Sequence, residues 1–217
     1  LARMTDAWAP CAAIVVVLDP ATGRVLAAAP HGGTEAAAAL AAARGIVAGS
    51  TIKPRVVAAA LEERAIAATD RFDATPVAGA TVRDAEPHGI LDVRDILAVS
   101  SNVGHAKIAE RLGTAKVAVY AKRFHLASAP ATLADATALS DLAVLGRVAS
   151  TPLEIAAAFA TLANGGVYHA PTFVSGVTSA SERVVSAGTA ATTLALLEGV
   201  TADGGTGTAA RVTGVRV

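Results

Sequence analysis

Residues 12–29 read AAIVVVLDPATGRVLAAA, and no other stretch limits the possible folds of this chain so tightly. The β-branched run at 12–18 predicts a strand. DPATG at 19–23 places Pro and Gly where a turn needs them, and RVLAAA at 24–29 predicts the returning strand, so the segment is a β-hairpin. An isolated two-stranded hairpin is marginal in water, and its open edges invite aggregation. The rest of the chain must cover it, and what the chain offers is mostly helix. Its hydrophobic share is 53%, largely Ala and Val, with only 3% aromatic residues. Helices packed through alanine approach closely and lose little side-chain entropy. A chain of 217 residues suffices for one large or two small domains.

The remaining elements follow from caps and periodicity. HGG (31–33) breaks the chain, and 34–44 reads as a short alanine-rich helix or ordered linker. A helix is predicted from Ser50 or Thr51 to about Glu63. Residues 70–89 are turn-rich, with room for short strands. LDVRDILAVSSNVGHAKIAERLG (91–113) predicts two helices, the first capped by Asp92, interrupted at Ser100–Ser101–Asn102, the second ending at Gly113. A further helix covers 114–123. TPLE (151–154) is a capping box, with Thr151 at N-cap, Pro152 at N1 and Glu154 at N3, and its helix stops at NGG (164–166). Another helix is predicted over about 187–199. TADGGTGTAA (201–210) is a glycine-rich loop, and RVTGVRV (211–217) an incipient strand. There is no repeat and no clear linker.

Several function classes fall away. Eighteen Lys and Arg balance eighteen Asp and Glu without a basic stripe, which argues against a nucleic-acid partner. The single cysteine, Cys11, excludes an internal disulfide and reads as a small core residue where the first strand begins. Five histidines, at 31, 88, 105, 125 and 169, form no H-x-x-x-H or H-E-x-x-H pair, so zinc has no support. No apolar run nears the ~20 residues that span a bilayer. No signal peptide opens the chain, which starts in mid-sequence and so leaves room for an anchor outside it.

Two polar clusters remain. In GSTIKP (49–54), Ser50 and Lys53 are three residues apart, on one face of a helix, where a hydroxyl and an amine can meet as nucleophile and base. Ser50 or Thr51 is equally a plausible N-cap, and S-x-x-K alone is common. In SSN (100–102), two hydroxyls and an amide break a helical pattern. They read either as an inter-helix turn with local capping or as a relay that faces another group.

Together the clusters resemble one known scheme, the S-x-x-K and S-x-N motifs of serine β-lactamases and penicillin-binding proteins. The chain looks most like the transpeptidase domain of class B penicillin-binding proteins. VVVLDPATGRVLAAA resembles that family's first hairpin, and GSTIKPRVVAAALEE its nucleophile helix, with Ile52 where phenylalanine is usual. ILAVSSNVGHAKIAERLG resembles its S-x-N segment, and TPLEIAAAFATLANGGVYHAPTFV its long helix and following loop. GGTGTAARVTGVRV resembles the run leading into a third motif, K-T-G. The resemblance implies Ser50 as acylated nucleophile, Lys53 as general base, Ser100 as proton relay to the leaving amine, and Asn102 as the residue holding Lys53 and the substrate amide. The Ser50 backbone N–H would be one oxyanion donor. A lysine needs its pKa lowered from about 10.4 for this work.

The implied fold is α/β: a three-layer αβα arrangement with an antiparallel sheet, a single transpeptidase domain over 1–217, and a large helical lobe over roughly 55–180. The implied reaction is D,D-transpeptidation of peptidoglycan stem peptides, with β-lactams acylating the same serine and no metal or organic cofactor. The resemblance leaves room for other cell-wall synthesis proteins as further partners. The implied location is the bacterial cell envelope, outside the cytoplasm, with a membrane anchor beyond this chain. K-T-G itself does not occur in the sequence. GTG at 205–207 reads as the run before it, so the expectation is a fragment that continues past Val217 with Ala-Gly-Lys-Thr-Gly or a close variant, and with the sheet's remaining strands. Two rivals stay open. A β-lactamase needs a water-activating group, and no E-x-x-L-N lies between Ser100 and Thr151. A non-catalytic penicillin sensor or scaffold would keep the fold without turnover.

Overall fold

The hairpin forms as expected. In the computed structural model, which describes residues 13–31, 45–126, 146 and 149–215, β1 (Ala13–Leu18) and β2 (Val25–His31) pair antiparallel, with a bulge between Val17 and Leu18. Asp19 fixes the turn: its carboxylate accepts from the Ala21 N–H and the Thr22 hydroxyl. Gly23, at φ +73°, lets the turn approach a distant segment; a Cβ there would stand 2.7 Å from Ala170 O. The approach is used, because Thr172 N–H donates to Gly23 O and Val25 N–H donates to Thr172 O. Cys11 and the helix expected at 34–44 lie outside the described residues.

Downstream of the hairpin come β3 (Ile46–Val47), a 3-10 turn (Gly49–Ile52), α1 (Lys53–Glu62), β4 (Arg71–Asp73), β5 (Ile90–Asp92), α2 (Val93–Ala98), α3 (Asn102–Leu112) and α4 (Thr114–Arg123). Then follow β6 (Ala149–Ser150), α5 (Pro152–Ala163), β7 (Val167–His169), β8 (Ser181–Arg183) and α6 (Ala187–Leu197). α1 is the hub. Every residue from Lys53 to Ala60 is buried, as expected of a helix enclosed on all sides. α3, α4 and α6 pack on it, while α5 covers the hairpin through β1. Ile96, Ile108, Phe124, Leu162 and Val184 complete a single core with the alanines of α1.

The caps read from sequence are present. Asp92 accepts from Asp95 N–H, and Gly113, at φ 87°, closes α3. Thr151 and Glu154 make the reciprocal capping box of α5. That helix ends at Asn164, with Gly165 and Gly166 carrying the left-handed turn.

Four expectations need correcting. The helix at Ser50 begins as a 3-10 turn, and neither Ser50 nor Thr51 caps it; the Thr51 hydroxyl instead donates to Ala48 O at 2.6 Å. The helix expected over 187–199 ends at Leu197 and tightens into a 3-10 turn over Glu198–Val200. No strand forms at 211–215, where Gly214 at φ 80° bends the chain. And among the described residues the three-layer arrangement has no common sheet. It is replaced by four separate antiparallel pairs, β1–β2, β3–β6, β4–β5 and β7–β8. Outside the hairpin these ladders are two or three residues long, and the elements are joined mainly by helix packing.

Candidate active site

The site is built where α2 ends. Ser101 N–H donates to Ile96 O (2.9 Å) and Ser100 N–H to Leu97 O (3.2 Å). This pair of reversed bonds terminates a helix and needs a left-handed residue between them, usually glycine. Here that residue is Ser100, at φ 56°. A side chain in this conformation costs about 1–2 kcal/mol, and such strain collects at functional sites.

The turn aims both oxygens of Ser100 at one partner. Lys53 Nζ donates to Ser100 O (2.6 Å), Ser100 Oγ (3.1 Å) and Asn102 Oδ1 (2.7 Å). Lys53 is only 2% exposed. Burial pulls its pKa from the ordinary 10.5 to about 8, while the negative charge of Asp84 opposes that fall. As an ammonium it has three N–H groups, and all three are used. Once deprotonated it keeps two. Ser100 O and Asn102 Oδ1 can only accept, so the lone pair must find a hydroxyl. Ser100 Oγ already stands there and needs only to rotate its proton.

Ser50 sits differently. It lies in the 3-10 turn, exposed, with its carbonyl accepting from the Lys53 N–H. Its hydroxyl is outside the cluster that holds Nζ. The fold thus brings together Lys53, Ser100 and Asn102 and leaves Ser50 one turn earlier at the open end of the same helix.

Three residues that support these groups were not read from the sequence. Arg55 is 3% exposed and joins the turn to α5: Nη1 donates to Thr51 O (2.7 Å), Nη2 to Ile155 O (3.0 Å), and the guanidinium lies 4.8 Å from the Phe159 ring. Burial lowers it to about 10, so it stays charged at neutral pH. Gly146 O accepts from Gly49 N–H at 2.9 Å, immediately before Ser50. Asp84 accepts from Ser101 Oγ (2.7 Å), Val103 N–H (3.1 Å) and Asn102 N–H, while its neighbour Arg83 accepts at O from Asn102 Nδ2 (2.8 Å). In sequence, only the arginine among alanines and valines in VVAAALEE's helix hinted at a buried tie. Nothing marked Asp84 within its turn-rich stretch.

A buried lysine on a central helix is thus held by a strained serine and an asparagine from a second helix junction. The chain belongs to the penicillin-binding protein transpeptidase domain family, which it matches over residues 13–217. It is 36% identical over 109 residues to the probable peptidoglycan D,D-transpeptidase PenA of Neisseria flavescens, covering 45% of this chain and 27% of that protein. It is 31% identical over 186 residues to penicillin-binding protein 1A of Mycobacterium tuberculosis, covering 80% of this chain and 22% of that one. The chain therefore spans about a quarter of the length of these relatives. Its fold matches the transpeptidase domain of Burkholderia pseudomallei penicillin-binding protein 3 with a TM-score of 0.86 at 21% identity, over 100% of this chain and 70% of that one. A peptidoglycan glycosyltransferase from Burkholderia ambifaria gives 0.85 at 21%, over 100% of this chain and 74% of that one. Among the described residues no helix is long and apolar enough to cross a membrane.

Proposed function

We propose that this chain is the transpeptidase domain, with its helical lobe at about 55–180, of a protein that cross-links peptidoglycan stem peptides in the bacterial cell envelope and is acylated by β-lactams. The observation that carries the reading is Lys53: buried, lowered toward neutral pH, and held by Ser100 and Asn102 from almost fifty residues away.

In the proposed reaction Ser50 Oγ attacks the carbonyl carbon of the penultimate D-alanine. Its proton passes to neutral Lys53 Nζ, directly or through water. The Ser50 backbone N–H at the helix start bonds the developing oxyanion. As the C–N bond breaks, the ammonium returns the proton through Ser100 Oγ to the departing D-alanine amine. An acceptor amine then attacks the acyl-serine ester, gives its proton to the same base, and Ser50 regains its hydroxyl. Asn102 keeps one Nδ2 hydrogen beyond the bond to Arg83 O, available for a substrate carbonyl.

The test is intact-mass measurement of the protein that carries this chain after exposure to benzylpenicillin. The expected result is a persistent adduct on the native protein and none on Ser50→Ala, whose fold is retained because the Ser50 side chain does not cap the helix. An adduct that survives in Ser50→Ala moves the nucleophile elsewhere. An unlabelled native protein favours a scaffold, and an adduct lost within seconds favours a β-lactamase. Release of D-alanine from a stem-peptide donor separates the enzyme from a penicillin sensor.

A further inference from the structure

A second cluster, centred on a carboxylate, adjoins the S-S-N turn. Three donors from consecutive residues, Ser101 Oγ and the N–H groups of Asn102 and Val103, converge on the carboxylate of Asp84. Ser101 Oγ also accepts from Gly104 N–H at 2.9 Å, so Asp84 and Ser101 together cap the first turn of α3. Those N–H groups are ones a helix leaves without partners, and a negative charge is favoured at that end. The preceding residue holds the Asn102 amide through Arg83 O. With Oδ1 of that amide on Lys53, the side chain has one orientation that satisfies both partners.

We propose that Asp84 is a positioning residue for acyl transfer: by clamping Ser101–Asn102–Val103, it holds the strained Ser100 turn and the Asn102 amide against Lys53. The inference rests on the transpeptidase reading for its catalytic consequence, but the clamp itself does not. Without it, Ser100 would be free to relax from its left-handed backbone, taking both of its oxygens off Nζ.

The clamp carries a charge as well as a shape. The helices packed on α1 carry other ionisable groups: His105, Lys107, Glu110 and Arg111 on α3, and Lys116, Tyr120, Lys122 and Arg123 on α4; Lys107 and Arg111 turn to Asp73 O and Asp70, and Glu154 stands at the start of α5. α6 brings none. Lys116 and Tyr120 engage Glu63 beyond the far end of α1, Arg123 lies over the Tyr120 ring, and Glu154 closes the α5 cap. Asp84 is the charge that acts on Lys53, and it favours the ammonium. Replacing it by a neutral residue lets burial act alone, so the lysine loses its proton at lower pH. A residue that served folding only would change the amount of active protein and leave that midpoint in place.

The experiment compares the native protein with Asp84→Asn and Asp84→Glu. Lys53 is titrated by NMR of lysine labelled with 13C at Cε, and its signal is assigned with Lys53→Arg. Benzylpenicillin acylation is followed across pH. In Asp84→Asn the Lys53 midpoint and the acid limb of the acylation profile both move to lower pH. The plateau rate falls about tenfold or more, as when a charge-assisted hydrogen bond is lost. Asp84→Glu restores the midpoint toward the native value and part of the rate. An unchanged midpoint in folded Asp84→Asn overturns the proposal. So does an Asp84→Glu that shares the Asn midpoint, the readout that remains if Asp84→Asn does not fold. Native protein that titrates as described but never acquires an adduct would leave the clamp standing and defeat the transpeptidase reading instead.

Discussion

Ser100 concentrates the physics of the site in one residue. Its left-handed backbone would suit glycine, yet glycine has no hydroxyl to meet Lys53. The fold therefore accepts strain to keep an oxygen in place. That gives a comparison free of the hydrogen-bond term. Ser100→Gly and Ser100→Ala both remove the hydroxyl, and only the alanine keeps the steric cost of the conformation. Ser100→Gly is expected to be more stable than Ser100→Ala by about 1 kcal/mol, the reverse of their order inside a helix. Denaturant unfolding of the two variants checks it, and an alanine variant of equal or greater stability would show that the turn relaxes when the hydroxyl is gone. Neither variant should acylate at the native rate.

Among elements, the nucleophile turn depends on partners remote in sequence. β3 precedes it and pairs with β6, Ile46 opposite Ser150 and Val47 opposite Ala149. Arg55 fastens its Thr51 carbonyl to α5, and Gly146 O receives the Gly49 N–H. All three ties come from residues 146–155. The start of α5, set by the Thr151 capping box, is thus the platform on which Ser50 rests. Gly146 is the narrowest point: it has φ 94°, and a Cβ would stand 1.9 Å from Gly49 O. Gly146→Ala must therefore push the two backbones apart or abandon the left-handed conformation. A loss of roughly 2 kcal/mol or more is expected, together with a fall in penicillin acylation larger than the loss of folded protein explains. Thermal unfolding and adduct mass on the same sample separate the two effects, and a silent Gly146→Ala would mean that this contact does not hold the turn.

At the level of the whole molecule, the buried lysine is a stability cost with a pH signature. Below about pH 8 Lys53 is charged in both folded and unfolded chains, and the cost of burying the charge is present in full. Between about 8 and 10.5 the unfolded chain holds the proton more tightly, so this group's contribution to stability rises with pH. Above 10.5 the lysine is neutral in both states and the cost is gone. Lys53→Met removes the titration. The stability difference between native protein and Lys53→Met should therefore change across that window in the native protein's favour, by about 3 kcal/mol, and be flat below pH 8. Parallel pH curves for the two would show that the lysine is not perturbed.

What the sequence determined by itself was whatever is decided within a few neighbouring residues. The hairpin around DPATG, the caps at Asp92, Gly113 and Thr151, and the break at Ser100–Asn102 all depend on local hydrogen bonds and local φ, which residue type encodes directly. The three-residue spacing of Ser50 and Lys53 and the separate S-x-N turn were legible for the same reason, although Ser50 lies in the 3-10 turn before α1 and its hydroxyl stays outside the cluster that holds Nζ. That Lys53 meets Ser100 and Asn102 was an expectation from resemblance; the packing of α1 against α3 is what brings them to hydrogen-bond distance. Only the tertiary structure decided the rest. The 3-10 turn at Gly49 is tied to Gly146, and Arg55 is buried against α5. The bonds of Asp84 to Ser101, Asn102 and Val103 come from a loop seventeen residues before the turn. Each depends on a bond between segments whose separation leaves no periodicity or spacing to read. The four separate strand pairs among the described residues are the same case: strand propensity marks a segment as fit to pair, and the partner is chosen by the packing of everything else.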